Sequence, residues 1–420
     1  MLTVSELCHE IDARKEELFE TLCELVRIPS ENDGAYGAEK ELAEELHRRF
    51  IALGLESELY SPMELEGFSS HPDYVEGHHL ENRYNVTARY RGATNEDELL
   101  LMGHSDTVVA GDLNRWDFDP FEGFIKDGKI FGRGAVDDKY ALATMLFLAK
   151  IFKDKGFLPQ KNLLLNAYCD EERGGSHGAL AAVLKHPCPS ILNMDGRADT
   201  VWNCGSGGQE VKLFFHTEKT ADSAITVAQA LPIVLEETER FGERRRQELR
   251  ENPFYQGSPI PDTALRYMGI RAGYDCMDLG RGEVFFIFYT DKTKAEIDGE
   301  FAELEATLRS RLAPLGIVVE GIVPQVRFFH YVQCAPDSAD INMLVAASEE
   351  ATGVTPTVCG SCLSDLSVIS KYGSSEAFAY GAGREFSEPG GPHQPNEYMP
   401  CENLLHFAKV IGAYVLKKLG

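Results

Sequence analysis

Positive charge is in short supply. The 420-residue chain carries 41 lysines and arginines against 67 aspartates and glutamates, a net charge of −26. That deficit argues against nucleic acid and anionic membrane surfaces as partners, because both are held through clustered cations. Long apolar runs are lacking too. No stretch approaches the ~18 uninterrupted apolar residues of a membrane-spanning helix. The 10 cysteines show no framework spacing, which excludes a disulfide scaffold and suits a reducing cytoplasm. A secretory leader is basic and then apolar, whereas this N-terminus carries Glu6, Glu10 and Asp12 and reads as an amphipathic helix. Internal repeats and low-complexity tracts are absent as well. What is present, 43% hydrophobic and 26% charged residues, describes a soluble cytoplasmic protein, and the length calls for two domains.

The first half alternates apolar strand-like runs with helical patterns, the order of an open α/β sheet. Helices are expected over 5–29, 38–53, 139–153 and 175–184, and strands over 85–90, 98–102, 163–167 and 191–194. Ligands in such sheets collect just past the carboxyl ends of strands. His104, Glu171, Glu172 and Asp195 all stand there, so one site could gather them. A Gly-rich stretch at 204–208 reads as a domain exit. Strands over 210–215 and 283–290, with helices over 223–250 and 294–312, predict an α+β domain inserted at 206–330. The catalytic domain is then discontinuous, 1–205 and 331–420, and resumes with helix 337–352, strand 377–380 and helix 402–418.

The chemistry-bearing residues come in series. His104-Ser105-Asp106 follows an apolar run, and its two functional side chains suit a metal-ligating imidazole steadied by a carboxylate. Asp137-Asp138-Lys139 opens a helix, where one acid could be an N-cap and the other a ligand. Asp170-Glu171-Glu172 ends a hydrophobic strand and is backed by Gly174-Gly175. Two neighbouring acids with divided roles, base and ligand, are what metal-assisted amide hydrolysis needs. Asp195 could be a turn aspartate, and His393 sits in a stiff Pro/Gly loop too polar for a core histidine. Two divalent cations a few Å apart need about two imidazoles, terminal carboxylates and a shared carboxylate. The series supplies that inventory. Cys359-Gly360-Ser361-Cys362 has the spacing of a thiol redox pair but lacks the flanking strand and helix that would activate a thiolate.

With those pieces in order, the chain resembles the di-zinc amidohydrolases and metallopeptidases that include aminoacylase, acetylornithine deacetylase, succinyl-diaminopimelate desuccinylase, carnosinase-type dipeptidases and glutamate carboxypeptidase. The resemblance is carried by Met102-Gly103-His104-Ser105-Asp106-Thr107-Val108 and by Trp116-Asp117-Phe118-Asp119-Pro120-Phe121 with Gly132-Arg133-Gly134. Asp170-Glu171-Glu172 completes it. It implies a zinc-exopeptidase-like α/β domain, a mixed sheet flanked by helices, with an inserted α+β sandwich acting as lid and homodimer surface.

The same resemblance implies two divalent metal ions, Zn2+ with Co2+ or Mn2+ as alternatives. His104 and Asp195 would hold one, Glu172 and His393 the other, and Asp137 would bridge them across a cis 137–138 peptide. Glu171 would be the general base acting on a water activated between the metals, and Asp106 would support His104. The implied reaction is hydrolysis of the amide of a small N-acyl amino acid, with dipeptidase or carboxypeptidase action as the alternative. A non-catalytic metal or small-molecule binding protein is the reading from another class, and it has no use for Glu171. Family lids place a histidine after their first strand, and His216 is the candidate. Arg271 and Arg281 are candidates to grip a substrate carboxylate.

Overall fold

The computed structural model describes residues 2–217, 223–274 and 278–420. Two compact units are present. The first comprises the chain up to Asn203, Gln333–Val358 and Val368–Gly420, and the second Cys204–Val332 with Cys359–Ser367.

The first unit is built on a mixed sheet. Seven of its strands run in the spatial order Thr200–Gly205, Phe378–Tyr380, Ser190–Asn193, Asp97–His104, Asn162–Tyr168, Asn85–Tyr90 and Glu56–Tyr60. The central pairings are parallel and the flanking ones antiparallel. Every residue of Asn162–Tyr168 is buried. Successive strand side chains point to opposite faces, so both faces of the sheet are covered. The helix Lys139–Asp154 is buried along nearly its whole length, and Cys401–Leu419 buries Leu404, Phe407, Ile411 and Val415. One helix was expected over 5–29, but two form, Val4–Ala13 and Lys15–Val26. They break at Arg14, whose φ of −113° and ψ of 14° leave the helical region.

The second unit is an α+β sandwich. Its antiparallel sheet runs Leu265–Ala272, Arg281–Thr290, Gly207–Thr217, Ile317–Pro324, with helices Ser223–Glu251 and Lys294–Leu312. Alternate residues Val211, Leu213 and Phe215 and their neighbours Val284, Phe286 and Phe288 form one core with Phe241, Phe301 and Leu308. The strand Leu265–Ala272 escapes a reading by pattern because only Leu265 on it is buried. Among the described residues, no helix is long and apolar enough to cross a membrane.

Candidate metal centre

Parallel pairing brings the strand ends together. His104 is the last residue of its strand and pairs with Tyr168, two residues before Asp170. On the other side Met102 pairs with Asn193, two residues before Asp195. The turn before Lys139–Asp154 supplies Asp137, joined to Asp138 by a cis peptide as the resemblance implies. Gly103 lets that turn approach. A Cβ there would lie 2.8 Å from the Ala141 Cβ and 3.0 Å from an Asp138 oxygen.

The main chain fixes the first imidazole. His104 Nδ1 donates to the Asp106 carbonyl at 3.0 Å, which leaves Nε2 facing Asp137 Oδ1, also at 3.0 Å. His393 Nε2 lies 3.2 Å from the other Asp137 oxygen and 2.7 Å from Glu172 Oε2. The second Glu172 oxygen accepts from the Val108 N–H at 3.1 Å. Asp137 therefore presents one oxygen to each histidine. Asp195 interacts electrostatically with Asp138 and Tyr140.

The Asp106 carboxylate does a different job from its carbonyl. It lies 3.7 Å from His104 Nδ1, beyond hydrogen-bond reach. It accepts instead from the N–H groups of Glu171 at 3.0 Å and Glu172 at 3.1 Å, and from Asn32 Nδ2 at 2.8 Å. The base candidate and its ligand neighbour are thus hung from one buried acid.

The electrostatics call for positive charge. Burial would lower His393, but Glu172 and Asp137 lift it to about 11. His104, fully buried, is likewise raised by Asp137 and Glu171 against the cost of burial. Burial pushes Asp137 up, yet its bonds to both histidines hold it below the usual carboxylate range. Burial and the Asp137 charge push Glu172 up. Imidazole nitrogens and carboxylates that face one another at 2.7–3.2 Å, with no Lys or Arg bonded to them among the described residues, are a set whose protons a hard or borderline divalent cation could replace. The donor set fits the implied metals.

His393 reaches the centre from a fixed loop. Its φ of 62° is in the left-handed region, which a residue with a Cβ enters at a cost of about 1 to 2 kcal/mol. Glu397 ties that loop to the Asp137 turn by accepting from the Val136 N–H at 3.0 Å and pairing with buried Arg133.

A second group of the same residue types sits nearby. His78, Asp170 and His177 bring ligand-type atoms together, but each is already bonded. His177 Nε2 accepts from the Val75 N–H at 3.1 Å, so its Nδ1 donates to Asp170 at 2.5 Å. His78 Nδ1 lies 2.9 Å from the other Asp170 oxygen, which also faces Arg83 Nη1 at 2.8 Å. Asn32 spans the two groups through Asp106 and Asp170.

Sequence reading missed Asn32, Arg83, His78 and His177. No local spacing connects them to Glu171. Only the stiffness of the 390–397 loop hinted at Glu397. In the second unit, His216 Nδ1 lies 2.9 Å from Glu320 Oε1, and Arg281, its cross-strand partner, lies 3.8 Å from the same carboxylate. Arg271, 62% exposed, lies 3.8 Å from Glu283.

Residues 100–417 match the family described as Peptidase family M20/M25/M40. An uncharacterized metallohydrolase of Methanocaldococcus jannaschii is 30% identical over 39% of this chain and 38% of its own. The chain thus spans under two-fifths of that relative's length. Succinyl-diaminopimelate desuccinylase of Wigglesworthia glossinidia brevipalpis is 25% identical over 76% of this chain and 84% of its own. Among solved structures, the di-peptidase Dug1p of Saccharomyces cerevisiae superposes with a TM-score of 0.71, at 15% identity over 99% of this chain and 98% of its own. A dinuclear metal binding peptidase of Bacillus subtilis gives 0.60, at 14% identity over 96% and 98%. Motifs, mixed sheet and a match over most of the length converge, and the chain belongs to the M20/M25/M40 peptidase family, a family of metal-dependent hydrolases.

Proposed function

We propose that this protein hydrolyses the amide bond of a small N-acyl amino acid or a related compound. The observation that carries the reading is Asp137, which offers one oxygen to His104 and the other to His393 while Glu171 and Glu172 hang from Asp106. That arrangement suits a carboxylate shared between two metals, with His104 and Asp195 on one side and Glu172 and His393 on the other. When bound, two divalent ions would make a water more acidic and polarise the substrate carbonyl.

The chain's own groups do the rest. Glu171 takes a proton from the attacking water and returns it to the departing nitrogen, so water and amide become carboxylic acid and amine. Asp106 keeps Glu171 and Glu172 in fixed orientation by accepting from both their N–H groups. The desuccinylase relative, aligned over most of both chains, favours deacylation over peptide cleavage. We assign His216 to the oxyanion of the reaction, Arg271 and Arg281 to the substrate carboxylate, and a homodimer to the unit that bears them. Sedimentation checks the dimer.

The test is a panel of N-acyl amino acids and dipeptides offered with zinc, cobalt or manganese, to wild type and to Glu171→Gln. Turnover of N-acyl amino acids by wild type and not by the variant supports the reading. A preference for dipeptides moves it to the peptidase branch, and turnover of neither class sinks it.

A further inference from the structure

Two large apolar side chains stand in solvent on segments that border the Glu172–His393 edge of the centre. Phe386 is 56% exposed, and its ring meets the His393 ring edge-on with centroids 5.1 Å apart. Val109 is 38% exposed and follows Val108, whose N–H donates to Glu172. Scattered exposed apolar residues are ordinary on any surface. These two stand close to the ligand atoms, since Phe386 touches His393 directly and Val109 follows the residue whose N–H holds Glu172.

Neither stands on a slack loop. The Phe386 carbonyl accepts from the Gln394 side chain, beside His393. Arg384 lies over the Tyr398 ring at 3.9 Å and donates to the Gly390 carbonyl at 2.8 Å. On the other side, the Ala110 N–H donates to Glu31 at 2.6 Å, and buried Trp116 donates to the Ala110 carbonyl at 3.0 Å. Rigid apolar groups held in water beside polar ligand atoms provide a surface whose burial favours binding without an ordering cost.

We propose that Phe386 and Val109 form an apolar wall beside Glu172 and His393, and that it selects substrates placing an aliphatic or aromatic group there over polar ones of the same size. The proposal rests on the hydrolytic reading above. The apolar group belongs either to the amino-acid side chain or to the acyl chain, and the chemistry at the wall is the same. A charged or amide group would have to shed water against the ring, at a cost that an apolar group does not meet.

The test separates this from the hydrolytic reading. In a Glu171→Gln background, where ligand persists, calorimetry compares N-acetyl-L-leucine with N-acetyl-L-asparagine, and N-pentanoylglycine with N-succinylglycine. In at least one pair the apolar member should bind about tenfold more tightly, the scale set by a hydrophobic pocket contact. Adding Phe386→Ala should collapse that ratio toward one, and Phe386→Leu should restore much of it. Turnover by the otherwise wild-type enzyme should show the same collapse in the ratio of kcat/KM. The leucine pair points to the side chain, the pentanoyl pair to the acyl chain. A ratio that survives Phe386→Ala, or no apolar preference in either pair, overturns the wall. Absence of hydrolysis on every substrate sinks the hydrolytic reading alone, because the binding ratios still decide the wall.

Discussion

Two clusters in the first unit draw on the same residue types, yet only one of them is already neutralised by a buried arginine. His104, Asp137, Glu172 and His393 face one another through imidazole Nε2 atoms and carboxylate oxygens at 2.7–3.2 Å. His78, Asp170 and His177 lie as close together, but Arg83 and the Val75 N–H already satisfy the group. The first cluster has no arginine or lysine bonded to its ligand atoms among the described residues. The second contains its own cation. Counting histidines and acids within reach cannot separate the two, whereas asking which lone pairs are already used does so at once.

The largest effect should come from breaking the open cluster. His104→Ala removes a ligand, and kcat/KM should fall by about 10^3-fold or more, since a Lewis acid contributes several kcal/mol to the transition state. Elemental analysis should show less bound metal per chain. His177→Ala should leave metal content unchanged and lower stability by about 1 to 3 kcal/mol, the cost of stranding a buried acceptor. Equal metal loss in both variants would abolish the distinction between the clusters. Next comes Glu171→Gln, which keeps every ligand atom. Its kcat should drop by about 10^2- to 10^4-fold, the range for a lost general base. Its metal content should match wild type, and a parallel loss of metal would place Glu171 among the ligands instead.

Much of the open cluster was legible in the chain because most of its members stand where a strand ends or a helix opens, each with its own local signature. His104, Asp137 and Glu172 sit at such boundaries, and His393 sits in a Pro/Gly loop. The closed cluster was not legible. Arg83 and Asp170 are 87 positions apart in the numbering and meet only because antiparallel pairing sets Asn85–Tyr90 against Asn162–Tyr168. Asp106 shows the same limit at shorter range. Its spacing from His104 suggests a side-chain brace, but the carbonyl fills that place and the carboxylate turns to Glu171 and Glu172. The edge strand Leu265–Ala272 was missed because it buries almost nothing.

The closed cluster can be broken through its cation. Arg83, fully buried, lies between Asp170 at 2.8 Å and Glu39, which accepts from its Nε at 2.9 Å. Arg83→Met would leave two carboxylates without their guanidinium. The loss should be about 3 to 5 kcal/mol, as for one partner removed from a buried pair. Denaturant unfolding reads it, and the folded fraction should still bind metal. Loss of metal at full stability would show that Arg83 serves the open cluster directly.

A last effect concerns the single proton that one guanidinium and two carboxylates leave over. Burial raises Glu39 to about 7 even against the Arg83 charge, while Asp170, with two histidines and the same arginine around it, stays below the usual carboxylate range. A carboxyl whose native pKa lies above its unfolded value binds its proton more tightly when folded. Its contribution is therefore complete below the ordinary value of 4.5 and is lost as pH rises through about 7. At about 1.4 kcal/mol per pKa unit, the window holds about 3 kcal/mol. Glu39→Gln carries no such proton, so the variant should lose less stability than wild type between pH 5 and pH 8 when both are unfolded in the same buffers. Other titrating groups, including those of the open cluster, cancel in that difference. Identical slopes would mean that Arg83 keeps Glu39 ionised throughout, and the closed cluster would then be balanced by charge alone, with no proton held in reserve.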